Sequence, residues 1–337
     1  MATYRVGVIG CRGIGERHAS GLLGLGNAAL AAACDLEETT LNAFKERWHS
    51  EWPDLNTYSD HRDMLAKEDL DIVTVATSDH RHADLVVDAA NAGVSGIFCE
   101  KPLATNLADA DRMVDAAERN GAILSVDHTR RFQPLWRHIK EQIVDAGGIG
   151  AVQYVVGALN GPRSMLFRNG THLVDSICYF ADSEPDWVFA ELEAGYEDYT
   201  EYRGDGGHDP ATEPSASGYI HFANGVRGFF AGGSKVSADP KFRCEIVGAT
   251  GYVDIGRDNA VLVRGSEREG IRAPEWPVSG IPAGVQELVR LVDVGGRPVS
   301  PAKDAHRVVE ILIGFLESQR LGNVRVDLPI PPERRGV

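Results

Sequence analysis

The sequence predicts two successive domains: an α/β domain with a doubly wound parallel sheet, then an α+β domain with an open, mostly antiparallel β-sheet. Three observations lead to this prediction. The first third of the chain alternates short apolar runs with longer helical stretches, which is the pattern of βαβ units. After about residue 127, apolar residues alternate with a period of two, as in antiparallel strands with one covered face. The length of 337 residues also exceeds what one hydrophobic core usually supports.

The predicted elements follow from these patterns. The first domain, residues 1–126, has predicted strands at 4–10, 28–34, 71–77, 95–100 and 122–126. The second domain, residues 127–337, has predicted strands at 151–159, 186–196, 216–225, 226–234, 242–251, 252–256 and 260–265. Helices are predicted near 135–145, 283–294 and 303–320, and a further helix at 169–181 is inserted between the first two strands of the second domain. The stretch 197–214 has no periodicity and is predicted to be an exposed loop.

Composition excludes several classes of partner. The formal charge of -15 argues against binding to nucleic acid or to an anionic membrane surface, because both would repel the protein. No apolar run approaches the roughly 20 residues that span a bilayer, and the N-terminus lacks a signal-like apolar segment, so a cytoplasmic location is expected. The five cysteines are scattered and mostly lie in apolar runs, which favours reduced core thiols and predicts no structural metal.

A glycine-rich segment, GVIGCRGIGERHA at 7–19, follows the first predicted strand and opens a helix, as a dinucleotide-binding fingerprint requires. Gly10 and Gly15 occupy the first and third glycine positions, but Arg12 occupies the second, followed by Gly13 and Ile14. Since the second glycine normally lets the backbone approach the pyrophosphate, Arg12 is expected either to point outward or to touch phosphate itself.

An acidic residue supports the same interpretation. Asp35 ends the second predicted strand, 20 residues after Gly15, where a carboxylate would hydrogen-bond the ribose 2′-hydroxyl and repel a 2′-phosphate. The cofactor predicted for this Rossmann domain is therefore NAD rather than NADP. Arg12 leaves the alternative open, because a guanidinium at the adenosine end would help to hold a 2′-phosphate.

Ligands bind beyond the carboxyl ends of parallel strands, so the residues just past each strand are candidates for contact with the cofactor. These residues include Thr77, Ser78 and, further on, His82. The segment FCEKPLATN at 98–106 places Glu100 and Lys101 before a proline at another strand exit. Chemistry alone does not separate a functional ammonium at Lys101 from a surface Lys-Glu pair.

The helix predicted at 169–181 carries three polar candidates on one face. At about 100° per residue, His172, Asp175 and Tyr179 fall on one narrow stripe, while Leu173 and Ile177 point elsewhere.

Over nearly its whole length, the chain resembles the Gfo/Idh/MocA family of glucose–fructose oxidoreductases and inositol dehydrogenases. The motifs that carry the resemblance are GVIGCRGIGERHA, VATSDHRHADLVVDAANAG, FCEKPLATN, HTRRFQP, GGIGAV, NGTHLVD, EIVGATGYVDI and the closing LPI. The resemblance implies an N-terminal Rossmann domain and a C-terminal open sheet whose free face often serves in oligomerisation. It further implies NAD(P)-dependent oxidation of sugars, inositols or related polyols.

The resemblance also implies catalytic residues. Lys101 matches the lysine of the family's Glu-Lys-Pro, and Asp175 matches an aspartate on the inserted helix. The position of the usual histidine, four residues later, is occupied by Tyr179, and His172 lies one turn before the aspartate instead. An unperturbed histidine titrates at about 6.5 and an unperturbed tyrosine at about 10, so His172 is predicted to be the base that takes the hydroxyl proton.

The other catalytic roles follow from charge. Lys101 as an ammonium would stabilise developing alkoxide, and Asp175 would orient His172 or bind a substrate hydroxyl. Tyr179 would donate a hydrogen bond to substrate, or relay the proton if Lys101 lies beside it.

Further residues are candidates for substrate binding: His128, Arg131, Arg163 and Arg168. For His128 and Arg131 an inter-domain salt bridge is the alternative, and for His82 the alternative to cofactor contact is capping its helix.

The predicted function is NAD-dependent dehydrogenation of a cyclic polyol, meaning a sugar, glycoside or inositol, by a homo-oligomer, a dimer or tetramer formed through the C-terminal sheet. Two alternatives remain: redox-assisted lyase or hydrolase chemistry on a glycoside, with NAD regenerated, and a non-catalytic NAD-binding sensor.

Overall fold

The computed structural model describes residues 3–161, 164–206, 209–233, 239 and 241–336. The chain forms two compact units. The first unit comprises Met1–Ala104, Asp109–Phe132 and Val278–Lys303, and the second comprises Thr105–Ala108, Gln133–Pro277 and Asp304–Val337.

The first unit is built on a six-stranded sheet in which every pairing is parallel. Its strands are β1 Tyr4–Ile9, β2 Ala28–Cys34, β3 Asn56–Tyr58, β4 Ile72–Val75, β5 Gly96–Cys99 and β6 Ile123–Val126. The spatial order is β3-β2-β1-β4-β5-β6, which is the order of a Rossmann fold and confirms the predicted doubly wound sheet. The three-residue edge strand β3 is the one strand of this sheet that the apolar pattern does not reveal.

The helices include those predicted after the glycine-rich segment and near 135–145, 169–181, 283–294 and 303–320. They are α1 Ile14–Ser20, α2 Glu38–Trp48, α3 His61–Lys67, α4 His82–Asn91, α5 Leu107–Asn120, α6 Pro134–His138, α7 Gly170–Ala181, α8 Ile281–Val294 and α9 Ala302–Arg320. A π-helical segment, Ile139–Val144, continues α6.

The division into units differs from the predicted single boundary after residue 126, because α8 belongs to the first unit. Ile281, Val285 and Leu288 lie in one buried apolar cluster with Val6 and Val8 of β1. The chain therefore returns to the first unit late in the sequence, a long-range packing that local periodicity does not reveal.

The second unit contains a nine-stranded sheet in the order β14-β13-β12-β11-β7-β10-β9-β8-β15. Its strands are β7 Val152–Asn160, β8 Pro185–Leu192, β9 Ala216–Phe222, β10 Arg227–Gly233, β11 Phe242–Gly248, β12 Tyr252–Ile255, β13 Asn259–Arg264, β14 Glu267–Arg272 and β15 Val326–Asp327. Among the described pairings of this sheet, only that of β7 with β10 is parallel, which confirms the predicted mostly antiparallel sheet.

Two glycines let α7 lie close against this sheet. A Cβ on Gly157 of β7 would approach Leu173 Cγ to 2.7 Å, and a Cβ on Gly228 of β10 would approach Ile177 Cγ2 to 2.6 Å. A strand glycine at a close helix contact is expected to serve this purpose. The position of α7 is therefore set by its apolar stripe meeting two strands that lack side chains at the contact.

The opposite face of the same sheet carries aromatic side chains that are exposed or half-buried. We call Tyr154, Trp187, Phe189, Tyr219 and Phe229 the aromatic face. Trp187 stacks on Tyr219 with ring centroids 4.9 Å apart, and Phe229 meets Tyr219 edge to face at 5.4 Å. Phe189 is 39% exposed and Phe229 is 36% exposed.

The stretch 197–214 was expected to be an exposed loop, and it does lack strands and α-helices where it is described. It is not fully exposed, however, because Tyr199 and Glu213 are each 2% exposed. The Glu213 carboxylate accepts hydrogen bonds from the backbone N–H groups of Phe167 and Arg168, which explains its burial. Among the described residues, no helix has the length and apolarity needed to cross a bilayer.

Candidate active site

The loop after β1, residues 10–15, which we call the glycine loop, has the geometry that a dinucleotide-binding turn needs. Gly10 has a φ of 89°, and a Cβ on it would lie 2.3 Å from the Ala76 carbonyl oxygen. A Cβ on Gly15 would lie 1.8 Å from the Gly10 carbonyl oxygen, so glycine lets α1 begin close to the strand. A Cβ added to Gly13 would meet nothing within 4 Å, and Ile14 is 39% exposed. The loop backbone therefore leaves open space at Gly13, where the dinucleotide fingerprint expects a pyrophosphate.

Asp35 lies against this loop. Its Oδ2 accepts from the Cys11 N–H at 2.9 Å and its Oδ1 accepts from the Glu37 N–H at 3.1 Å, which fixes the carboxylate at the carboxyl end of β2. Arg12 is exposed, and its Nε donates to Thr40 Oγ1 on α2 at 3.1 Å. This anchoring agrees with the outward-pointing alternative for Arg12, while contact with a phosphate stays a prediction.

The exit of β4 holds Thr77 and Ser78, both half-buried, and leads to His82 at the start of α4. His82 is fully buried, with Nδ1 2.8 Å from the Pro102 carbonyl oxygen and Nε2 3.2 Å from the Thr77 carbonyl oxygen. The expectation that His82 caps its helix is wrong, because its ring meets two carbonyl oxygens instead of helix N–H groups. Burial lowers the pKa of His82. The residue ties the exit of β4 to the segment after β5.

Glu100 and Lys101 follow β5, and a buried polar cluster lies beside them. Glu100 Oε2 accepts from the Lys101 backbone N–H at 3.3 Å, and Glu100 Oε1 lies 3.3 Å from His18 Nε2 on α1. The Glu100 side chain also has Asp127 as its neighbour, at the exit of the adjacent strand β6, and Asp127 Oδ2 accepts from Thr129 Oγ1 at 3.2 Å. Lys101 itself is half-buried. Because β1, β4 and β5 are consecutive in the sheet, Lys101 follows a strand at the same sheet edge as the glycine loop.

Burial shifts the titration of this cluster. It raises the pKa of Glu100, which the Lys101 ammonium opposes, and it raises the pKa of Asp127 well above its usual value. It lowers the pKa of His18 to about 4. At neutral pH the imidazole is therefore uncharged, and the two carboxyl groups do not readily ionise together.

His128 and Arg131 follow β6 and are both buried. The Arg131 guanidinium donates through Nη1 to the Val299 carbonyl oxygen at 2.9 Å, within the first unit. This contact gives Arg131 a structural role, and substrate binding by either residue stays a prediction.

In the second unit, α7 presents the predicted stripe. Every residue of α7 is buried except His172 and Tyr179, which are half-buried. Asp175 is 1% exposed. The His172 ring meets Phe242 edge to face with centroids 6.2 Å apart, and the Tyr179 ring lies 5.6 Å from Lys140 Nζ. Two of the three predicted residues are therefore the accessible ones on an otherwise buried helix.

The arginines predicted before α7 are only partly described. Arg163 lies outside the described residues. Arg168 is half-buried; its backbone N–H donates to Glu213 Oε2 at 3.2 Å, and its Nη1 lies 3.5 Å from the Gly206 carbonyl oxygen. Since Glu213 also accepts from the Phe167 N–H at 2.7 Å, its carboxylate fixes the backbone that leads into α7.

The structure thus brings the glycine loop, Asp35 and Lys101 to one sheet edge of the first unit, and it keeps His172, Asp175 and Tyr179 together on one helix of the second. The sequence reasoning missed His18 and Glu213. His18 lies on α1 one turn beyond Gly15, and this position next to the glycine-rich segment could have marked it as a site residue. No local sequence pattern marks Glu213. Within the described ranges, no group of three or more His, Cys, Asp and Glu side chains is arranged to hold a metal ion.

Comparison with known families gives two matches. Residues 4–128 match the Gfo/Idh/MocA model described as "Oxidoreductase family, NAD-binding Rossmann fold". Residues 136–254 match the model described as "GFO/IDH/MocA C-terminal domain".

Curated relatives are similar over part of their length. The chain is 37% identical over 146 residues to myo-inositol 2-dehydrogenase of Thermotoga maritima, covering 43% of this chain and 42% of the relative. It is 36% identical over 147 residues to D-apiose dehydrogenase of Paraburkholderia graminis, covering 44% of this chain and 38% of the relative. The matched region thus spans less than half of each relative's length.

Solved structures share the fold over almost the whole chain. Levoglucosan dehydrogenase in complex with NADH and levoglucosan superposes with a TM-score of 0.81 at 20% identity, covering 97% of this chain and 100% of that one. Aldose-aldose oxidoreductase from Caulobacter crescentus, complexed with glycerol, also superposes with a TM-score of 0.81, at 19% identity, over 97% and 100% of the two chains.

Proposed function

Since the chain belongs to the Gfo/Idh/MocA family of oxidoreductases, we propose that it is an NAD-dependent dehydrogenase of a cyclic polyol, meaning a sugar, a glycoside or an inositol. The observation that carries the proposal is the position of Lys101, an ammonium at the same sheet edge as the dinucleotide-binding loop. Both named relatives are dehydrogenases of polyhydroxylated substrates, which supports this substrate class.

The first unit provides the cofactor site. Gly10, Gly13 and Gly15 let the backbone approach the pyrophosphate, and the exposed Ile14 borders the same loop. The Asp35 carboxylate is held where a ribose 2′-hydroxyl would donate to it, which favours NAD over NADP. The remaining proposed contacts are Arg12, Thr77, Ser78, His82, Glu100 and Lys101. When bound in this site, the nicotinamide would supply the acceptor for a hydride from the carbinol carbon of the substrate.

The proton chemistry is assigned to residues of this chain. Lys101 polarises the substrate hydroxyl and stabilises the negative charge that develops on its oxygen. His172 accepts the hydroxyl proton as general base, and Asp175 orients His172 or binds a neighbouring hydroxyl. Tyr179 donates a hydrogen bond to substrate or relays the proton. The exposure of His172 and Tyr179 on a buried helix supports their access to a ligand.

Substrate hydroxyls are proposed to meet His128, Arg131 and Arg168, with Arg163 proposed from the sequence alone. His128 and Arg131 follow β6 at the sheet edge where the cofactor loop lies. Arg168 precedes the helix that carries His172, and this neighbourhood is what supports its assignment.

Assembly and location complete the proposal. The aromatic face supports a homo-oligomer formed through the second sheet, because contiguous exposed aromatic side chains are typical of an interface. The five cysteines are buried free thiols, which supports a cytoplasmic location where thiols stay reduced.

The direct test is incubation of the protein and NAD with a panel containing myo-inositol, D-apiose, levoglucosan and common aldoses. Under the proposal, at least one member gives NADH absorbance in proportion to the polyol consumed. Release of product without net NADH would favour redox-assisted lyase or hydrolase chemistry. Tight NAD binding with no turnover of any member at high enzyme concentration would favour a sensor.

A further inference from the structure

Three titratable side chains are buried together next to Lys101. His18 is 0% exposed, Glu100 is 7% exposed and Asp127 is 1% exposed. They come from α1 and from the exits of β5 and β6, which are neighbouring parallel strands. The Asp127 N–H donates to the Cys99 carbonyl oxygen at 2.8 Å, which fixes the two exits side by side.

The placement of the two carboxyl groups favours a proton between them. Cys99 and Val126 are register partners, so Glu100 and Asp127, the next residue along each strand, are neighbours. Ionised carboxylates only accept hydrogen bonds, so a hydrogen bond between these two needs one of them to be protonated. Asp127 Oδ2 already accepts from Thr129, whereas Oδ1 is buried and receives no N–H or O–H from the described residues. Protonated, Oδ1 becomes a donor to Glu100, and the buried oxygen is satisfied.

The remaining contacts place the negative charge on Glu100. Its oxygens face the Lys101 N–H and His18 Nε2, each at 3.3 Å. A protonated His18 would leave its Nδ1–H buried without an acceptor among the described residues, so the neutral ring donates through Nε2. The ring also packs edge to face on Phe98 at 5.2 Å.

The other charged groups near the cluster raise some of its pKa values and lower others. The Lys101 ammonium favours ionised Glu100, while buried Asp79 opposes it by raising its pKa. Arg17 disfavours a charged His18. A second carboxylate beside Glu100 and Asp79 would therefore be strongly repelled.

We propose that Asp127 is a positioning residue that keeps one proton between itself and Glu100, so that the one negative charge of this pair orients the segment carrying Lys101. The Glu100 carboxylate then accepts from His18, Asp127 and the Lys101 backbone together, which fixes this carboxylate beside the Lys101 segment. This role deepens the proposed function and rests on Lys101 being its catalytic cation.

Infrared spectroscopy tests the shared proton independently of turnover. Nearly all carboxyl groups are ionised at neutral pH, so the carbonyl stretch of a neutral carboxylic acid is a specific signal. The wild type is expected to show this band with a shift in D₂O, and Asp127→Asn is expected to lose it. Glu68→Gln is the matched control, because Glu68 is a buried carboxylate of the same unit that is paired with Arg5 at 2.6 Å and should not contribute.

Kinetics test the positioning role. Asparagine retains a donor to Glu100 and an acceptor for Thr129, whereas leucine retains neither. Asp127→Leu is expected to lower kcat for the polyol about tenfold, with NAD affinity retained, and Asp127→Asn is expected to recover most of that loss. A wild type without the band, a band that survives in Asp127→Asn, or equal kcat for the two variants would overturn the proposal. Presence of the band in a protein that oxidises no polyol would instead overturn the proposed function and leave the shared proton in place.

Discussion

Among single residues, Lys101 is the one on which the proposed chemistry depends most. It is half-buried at the sheet edge of the glycine loop, next to the buried Glu100. We expect Lys101→Met to lower kcat about 10²-fold or more, because an ammonium that stabilises a developing alkoxide acts mainly in the transition state. Steady-state kinetics measure kcat, and fluorescence titration measures NAD affinity, which should be retained.

The control for Lys101→Met is Lys67→Met, which removes the same charge from an exposed lysine paired with Asp63 at 2.9 Å. Lys67→Met should leave kcat unchanged. If the Lys101 variant changed only KM for the polyol, Lys101 would be a binding residue and its catalytic role would be wrong.

Asp35 determines the predicted cofactor preference. Its two oxygens are held by the Cys11 and Glu37 N–H groups, so the charge stays at the carboxyl end of β2. We expect Asp35→Ser to reduce the NAD:NADP ratio of kcat/KM by at least about tenfold, because the repulsion of a 2′-phosphate is removed. Asp54→Ser, which removes an exposed acid before β3, should leave the ratio unchanged. A wild type that prefers NADP would contradict the assignment.

His172 and Tyr179 are distinguished by the pH dependence of kcat/KM. A base must be deprotonated to act, so with His172 as base kcat/KM should fall about tenfold per pH unit on the acidic side of its pH profile. Tyr179→Phe should keep this acidic limb, and His172→Ala should lose it along with most of the activity. The opposite pattern would make Tyr179 the proton acceptor.

At the scale of elements, the helix that carries these residues was the most predictable. The stripe predicted within 169–181 lies on α7, Gly170–Ala181, and its two half-exposed residues are His172 and Tyr179. Amphipathic periodicity is a local property, so it is readable without the fold. The short edge strand β3 cannot be predicted in this way, because three residues are too few to show a periodic pattern. The packing of α8 into the first unit cannot be predicted either, because it depends on contacts between residues far apart in sequence.

The same reasoning explains what was missed at the site. The glycine loop, Asp35 and Glu100-Lys101 are marked by their positions after strands, which are local features. The pairing of Glu100 with Asp127 and His18 arises only when three elements meet, and the Glu213 contact with residues 167 and 168 joins segments 45 positions apart. Sequence reasoning therefore found the residues at strand exits and missed those that support them.

The close contact between α7 and the sheet gives a prediction for the element. In Gly157→Ala the new methyl group would lie 2.7 Å from Leu173 Cγ, so either α7 or β7 must shift. We expect a loss of about 1–3 kcal/mol in the free energy of unfolding, which is typical of overpacking. Urea denaturation measures it, and KM for the polyol should rise because His172 moves with the helix.

Gly270→Ala in β14 of the same sheet is the control, since an added Cβ there meets nothing within 4 Å. Its free energy of unfolding should stay within about 0.5 kcal/mol of the wild type. An equal loss in both variants would show that strand glycines, and not the helix contact, account for the effect.

At the scale of the whole molecule, the two faces of the second sheet differ in how far they are covered. One face is covered by α7 and by α9, whose Phe315 lies 5.7 Å from Phe230 between ring centroids. On the other face, Phe229 meets Tyr154 edge to face at 6.0 Å and stays 36% exposed. A contiguous aromatic surface of this kind is costly to leave in water, so we expect a second copy of the chain to cover it.

A charge placed on the aromatic face tests this assembly. The wild type is expected to sediment as a dimer or tetramer, and Phe229→Glu to dissociate it towards monomers, because an unpaired carboxylate inside an apolar interface costs several kcal/mol. Val294→Glu is the control, since Val294 is 67% exposed at the end of α8 in the other unit. Analytical ultracentrifugation over a concentration series gives the mass of each variant. A monomeric wild type, or a Phe229→Glu protein of unchanged mass, would show that this face does not form the interface.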